Sequence, residues 1–143
     1  MPIRIIAVDL EGTVISSAVK PIPRPGLREF LEFCKAHFEE IVIMSAVPER
    51  LFRDVAGELA IQKAVPVWFF DVRYVNWKVP YKDLRKIGHP RLEEVLLLDD
   101  NWTVVEPDQM DQYVPLRCWQ HPYDLTDNEL EDFMSRLVSL LGA

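Results

Sequence analysis

The chain is organised by short apolar runs that stop on a carboxylate or a hydroxyl. Ile3-Arg4-Ile5-Ile6-Ala7-Val8 leads into Asp9-Leu10-Glu11-Gly12-Thr13, Ile41-Val42-Ile43-Met44 into Ser45, and Val95-Leu96-Leu97-Leu98 into Asp99 and Asp100. A β-branched run ending abruptly in an acid predicts a buried strand that delivers a functional group to a loop. Open parallel sheets carry their chemistry at such strand ends. Between these runs the period changes. Pro21-Ile22-Pro23-Arg24-Pro25-Gly26 is a stiff connector, after which Leu27, Phe30, Leu31 and Cys34 fall at helical spacing. A second helix is predicted after Ser45, with Pro48 in its first turn, Glu49 near its positive end, and Leu51, Val55 and Leu59 inward.

The last helix shows the clearest pattern. Thr126 and Glu129 have capping-box spacing, Leu125 and Leu130 the staple positions, and Leu130, Phe133, Met134, Leu137, Val138 and Leu141 the buried face. Tyr113 to Trp119 reads as an edge strand because of Pro115. The predicted order is strand, helix, strand, helix, strand, helix, strand, strand, helix. That alternation implies right-handed crossovers and a mostly parallel, three-layer α/β sheet with helices on both faces. From about 66 to 81 the pattern breaks, and Trp68, Phe69, Phe70, Tyr74, Trp77 and Tyr81 crowd together. The segment is too short for a separate cap domain and reads as one strand plus a loop or small hairpin. Its rings either fill the core or wall a substrate cleft.

At 143 residues, residues 1–143 are expected to form one domain. A net charge of −7 argues against a nucleic-acid surface or an anionic membrane as partner. No signal-peptide layout precedes the first strand, and no apolar run approaches the ~20 residues of a membrane span. Cytoplasm is therefore expected, and Cys34 and Cys118 are read as reduced thiols. Composition does not speak to the oligomeric state.

The three strand ends, with Lys82 between the second and third, point to a phosphate-handling, metal-binding site. Asp9 is placed as a covalent nucleophile, since a carboxylate can attack phosphorus and split one displacement into two. The repulsion between that carboxylate and a phosphate calls for a cation. Mg²⁺ suits an all-oxygen site, with Asp9 and Asp100 as its holders. Lys82 neutralises charge around Asp9 and the phosphate, and Ser45 offers a hydroxyl to a phosphoryl oxygen. Glu11, two residues past Asp9, can turn its carboxyl toward the leaving group as general acid and then base. Cys118-Trp119-Gln120-His121 lacks the second ligand pair of a zinc site, and His37 and His89 need no catalytic role. Trp102 is either a core residue or a lip of the cleft.

Asp9-Leu10-Glu11-Gly12-Thr13, Ser45, Lys82 and Asp99-Asp100 resemble the four ordered motifs of the haloacid dehalogenase (HAD) superfamily of phosphohydrolases. Arg24-Pro25-Gly26 with Glu29-Phe30-Leu31, Tyr81-Lys82-Asp83-Leu84 with Ile87-Gly88, and Leu97-Leu98-Asp99-Asp100-Asn101 resemble one branch in particular. That branch holds the small phosphatases of the RNA polymerase II C-terminal domain, the NLI-interacting-factor-like proteins. The resemblance implies a HAD-like fold with Asp9 as nucleophile, Ser45 and Lys82 on phosphate, and Asp9 with Asp100 on Mg²⁺. It further implies the Glu11 backbone carbonyl as a metal ligand, Thr13 supporting the nucleophile loop beside the phosphate, and Asp99 orienting Lys82 or joining the metal shell.

Glu11 stands where the superfamily usually has Asp, and the extra methylene moves the carboxyl by roughly 1.5 Å, enough to matter to a reaction. Enolase-phosphatases of the superfamily have a similar Asp-x-Glu-Gly-Thr start, which implies that Glu can serve. A mitochondrial import receptor related to the polymerase-tail phosphatases keeps the fold for binding alone. The expected activity is a Mg²⁺-dependent phosphomonoester hydrolase acting on a phosphoprotein, through phosphoserine, phosphothreonine or phosphotyrosine. The alternatives are a phosphoprotein-binding scaffold and a small-metabolite phosphatase. A receiver-type signalling domain fits worse, because its acidic pair would end the first strand.

Overall fold

A computed structural model describes residues 2–140. Five parallel strands form one sheet in the order β3-β2-β1-β4-β5: β1 Ile5–Val8, β2 Glu40–Ile43, β3 Arg73–Tyr74, β4 Val95–Asp99 and β5 Tyr113–Pro115. The most buried strand, β1, lies between β2 and β4, with Val8 in register with Ile43 and Leu98. That register brings the residues following all three strands to one edge of the sheet. The protein is thus an α/β fold on a parallel sheet, as its strand and helix periodicities predict, and it matches the HAD-like fold that the motif resemblance implies.

Alternation along the strands splits the core in two. Ile6, Val8, Ile41, Ile43 and Leu98 face the helices α1 (Leu27–His37), α2 (Glu49–Ile61) and α3 (Glu129–Leu140). Phe30 of α1 meets Phe133 of α3 edge to face at 5.6 Å. The opposite face, with Ile5, Ala7, Val42, Met44 and Leu97, is covered by Val75, Leu84, Ile87 and Val105. The helix expected between the third and fourth strands is reduced there to 3-10 turns, Leu84–Ile87 and Leu92–Glu94. Gly88 (φ 85°) and Pro90 interrupt the segment before a full helix can grow.

The aromatic segment holds its one strand, β3, and a small hairpin closed by a Lys78–Tyr81 bridge, as expected; ahead of them Val67–Asp71 is a 3-10 helix that sets Phe69 edge to face against Phe52 of α2 at 5.3 Å. Other expectations need correction. In α2 Val55 and Leu59 are inward as expected, joined by Phe52 and Ala56, while Leu51 is turned to solvent and Phe52 takes its place on the buried stripe. At the start of α3, Thr126 bonds back to Asp124 (2.8 and 2.7 Å) and Leu125 is exposed, so neither the capping box nor the staple forms. Asp127 instead accepts from Glu129 N. Val138 is exposed, and Leu141, assigned to the same face, lies outside the described residues. The edge strand β5 ends at Pro115, earlier than expected. Among the described residues no helix is long and apolar enough to cross a membrane.

Candidate active site

Asp9 continues the β1 ladder by donating its N–H to Leu98 O (3.1 Å) before the chain turns away. Its side chain is buried between three groups. Lys82 Nζ donates to Asp9 Oδ1 (3.0 Å) and to Asp99 Oδ2 (2.5 Å), and the Thr13 hydroxyl bridges Asp9 Oδ2 (2.9 Å) and Asp100 Oδ1 (3.1 Å). Lys82 reaches this point from the loop after β3, where its backbone N–H bonds Val104 O (2.7 Å). Thr13 is fully buried, beneath the cleft among the carboxylates and not on its wall.

Oxygens of Asp9, Asp99 and Asp100 lie within 4.8 Å of one another. Three carboxylates face one ammonium, so negative charge is in excess. Burial, opposed by Lys82 and reinforced by Asp99, pushes the Asp9 carboxyl up to about 7. Asp99 is likewise raised, chiefly by burial. Burial acts on Asp100 in the same direction, but hydrogen bonding, led by the Cys118 thiol and joined by the Thr13 hydroxyl, outweighs it and holds Asp100 below the ordinary carboxylate range. Lys82 is raised above the ordinary lysine value; its own burial works against this, but the charges of Asp9 and Asp99 prevail. An oxygen-only cluster with surplus negative charge fits a hard divalent cation.

The carboxylates open onto a cleft of about 230 Å³, whose walls include Asp9, Glu11, Ser45, Trp77, Lys82 and Asn101. Ser45 is buried, its hydroxyl accepting from Val47 N (3.0 Å). Its carbonyl is gripped by the aromatic segment: Trp77 Nε1 donates to it at 2.9 Å and the Tyr74 hydroxyl at 3.0 Å, and Tyr74 also bonds Val47 O. Trp77 further lies under Lys82, whose ammonium is 5.4 Å from the ring centroid. The segment is therefore both wall and brace. A second cavity of about 270 Å³, lined by Ser45, Tyr74, Asn76, Trp77 and Val79, adjoins the first. The exposed Trp102 belongs to the lip: it is 67% exposed, on a 3-10 turn between Asn101 and Val104 of the cleft wall.

Two residues hold the Asp9–Thr13 loop in ways their types alone do not announce. Gly12 has φ 80°, and a Cβ there would come within 2.6 Å of Asp100 Oδ2. Arg24, 1% exposed, donates to the carbonyls of Gly12 (3.2 Å), Thr13 (3.1 Å) and Arg117 (2.8 Å) and forms a fork with Asp127 (2.7 and 3.0 Å). The Arg24-Pro25-Gly26 triplet was its one signal. Cys118, on the loop after β5, sits against Gly12 and Asp100. Partial burial and that carboxylate push its thiol up to about 11, so it stays protonated and a weak nucleophile. Cys34 is buried, and both thiols are free. Gln109 is buried and ties the Lys82 loop to the 3-10 segment Pro107–Gln112 by accepting from Leu84 N (2.9 Å) and donating to Asp83 (2.8 Å).

All seven residues singled out from the sequence thus meet at one edge of the sheet: Asp9, Glu11, Thr13, Ser45, Lys82, Asp99 and Asp100. No curated protein matches the chain. Residues 4–143 match the NLI interacting factor-like phosphatase family, and a match over nearly the whole length places the chain in that family.

Proposed function

We propose that the protein hydrolyses phosphomonoesters through an aspartyl-phosphate on Asp9, with Glu11 as general acid and base. Membership of a phosphatase family supports phosphorylated substrates. The observation that carries the finer reading is the setting of Asp9: a strand-end carboxylate held by Lys82 and Thr13 at the floor of an open cleft. An Asp9 oxygen attacks phosphorus, the ester oxygen leaves, and Glu11 gives it a proton. Glu11 then takes a proton from water as that water attacks phosphorus, and the Asp9 carboxylate is restored. Lys82 and the Ser45 hydroxyl stabilise charge on the transferring oxygens.

Asp9, Asp100 and the Glu11 backbone carbonyl would hold Mg²⁺, with Asp99 behind them. Bound there, the ion would offset repulsion between the Asp9 carboxylate and the phosphate. The exposed Trp102 on the lip, and the absence of any covering domain among the described residues, favour a phosphorylated protein segment over a small metabolite. Two free thiols agree with a reducing compartment such as the cytoplasm.

The test is Asp9→Asn. It should abolish turnover of p-nitrophenyl phosphate with the fold intact, while rapid-quench mass spectrometry finds phosphate on Asp9 in the parent. Full activity in the variant would overturn the mechanism. A parent inactive on phosphopeptides and metabolites alike would leave the scaffold reading in its place.

A further inference from the structure

The Glu11 carboxylate is anchored. Its Oε2 accepts a 2.7 Å hydrogen bond from the backbone N–H of Ala18. Ala18 lies on the loop 16–22, which is closed on itself through one side chain. Ser16 Oγ donates to Lys20 O (3.0 Å) and accepts from Ile22 N (2.8 Å), while Ser16 N donates to Ile22 O (2.9 Å). A weaker tie runs from Lys20 N to Ser17 Oγ (3.2 Å). Ser16 is buried at 8% exposure, whereas Val19 on the crown is 92% exposed. One buried hydroxyl therefore fixes both ends of a solvent-facing loop, and the amide that meets Glu11 is on that loop.

Glutamate needs such an anchor more than aspartate would. Its longer side chain has an additional rotatable bond and more freedom to lose when held in one pose. Catalysis depends on that pose, because a displacement near 1 Å can cost on the order of a hundredfold. The longer reach that parts Glu11 from the superfamily's usual Asp also carries its carboxylate to the Ala18 N–H.

We propose that Ser16 is a positioning residue for the acid–base step, acting through the 16–22 loop and the Ala18 N–H to aim the Glu11 carboxyl. The proposal rests on Glu11 being the acid and base. Loosening the loop should then resemble a partial loss of Glu11, felt most where the leaving oxygen needs a proton.

The experiment compares the parent, Ser16→Ala, Glu11→Gln and the double variant on p-nitrophenyl phosphate and on an alkyl phosphate such as glycerol 2-phosphate. Ser16→Ala should lower kcat/KM, which reports only the steps up to release of the alcohol, by about ten- to a hundredfold for the alkyl substrate and by less than about threefold for the nitrophenyl substrate, because nitrophenolate leaves without protonation. Ser16→Thr, which keeps the hydroxyl, should restore the rate. In the Glu11→Gln background Ser16→Ala should add no further alkyl-specific loss. Ala18→Pro, which deletes the N–H and leaves Ser16 untouched, should repeat the pattern if Ser16→Ala folds poorly. An equal fall in kcat/KM for both substrates, or an undiminished alkyl-specific loss on top of Glu11→Gln, would overturn the proposal while leaving Glu11's role standing. Glu11→Gln as fast as the parent on both substrates would overturn the acid–base reading and the proposal with it.

Discussion

Arg24 offers the sharpest test of how the site is held. Its guanidinium is 0% exposed, its partner Asp127 11%, and its remaining N–H groups go to the carbonyls of Gly12, Thr13 and Arg117. Removing one member of a buried ion pair costs about 3–5 kcal/mol, because the other charge stays buried without compensation. Each carbonyl left unsatisfied adds about 1–3 kcal/mol where water cannot reach it. A domain of this size has roughly 5–15 kcal/mol in total. Arg24→Ala should therefore bring the protein to the edge of folding. Asp127→Asn is the measurable variant, since it keeps one acceptor and removes the charge. Losing a hydrogen bond to a charged group costs about 1.5–3 kcal/mol, a fall in Tm of about 3–12 °C. Urea unfolding followed by tryptophan fluorescence should show a lower midpoint at unchanged slope. Because Arg24 grips two carbonyls of the nucleophile loop, turnover at a temperature where the variant is folded should fall as well. An Asp127→Asn midpoint equal to that of the parent would refute the reasoning.

Two more expectations follow. Adding Mg²⁺ at a hundred times its Kd should stabilise the parent by about 2.7 kcal/mol; Asp100→Ala should lose that shift and most turnover, and undiminished activity in excess EDTA would count against the cluster as a metal site. Asp83 caps the Leu84–Ile87 turn, and hydrogen bonds from Arg85 and Gln109, outweighing partial burial, hold its carboxyl down to about 2. Its folded value lies below the unfolded value of about 3.9, so its contribution is fully present above that pH and is lost as pH falls toward 2. Asp83→Ala should cost about 1 kcal/mol at pH 7, and the gap to the parent should close between pH 4 and 2; a gap that does not change with pH would disprove the assignment.

The strand ends could be read in advance because each chemical group is covalently next to the strand that carries it. Asp9, Ser45 and Asp99-Asp100 follow apolar runs, and parallel pairing then gathers them without further information. Lys82 was legible through its motif, although its approach depends on a backbone bond to Val104. What stayed hidden was long-range and polar. Arg24 is held by groups at 12, 13, 117 and 127, and no periodicity links those positions. Tyr74 and Trp77 were visible as apolar rings, but their hydrogen bonds to Ser45 O follow only from the path of the chain after the two-residue β3. Local signals also lost to tertiary ones. The Thr126–Glu129 spacing is a good cap, yet Asp127 is drawn to the buried Arg24, and α3 begins beside that contact. Leu51 and Phe52 both fit a helical stripe, and the larger ring took the place against Phe69.

The Lys82 ammonium above Trp77 makes the indole an optical witness to the chemistry. Its π-system is 5.4 Å from the charge that would neutralise a bound phosphate, and its N–H is tied to the Ser45 carbonyl. Indole emission shifts with the electric field along the ring, so a new charge arriving in the cleft should shift the emission of Trp77, and replacing the exposed Trp102 on the lip with Phe would leave Trp77 as the tryptophan beside the cleft. Occupancy of the site can thus be followed in real time, without a label and before any bond is broken.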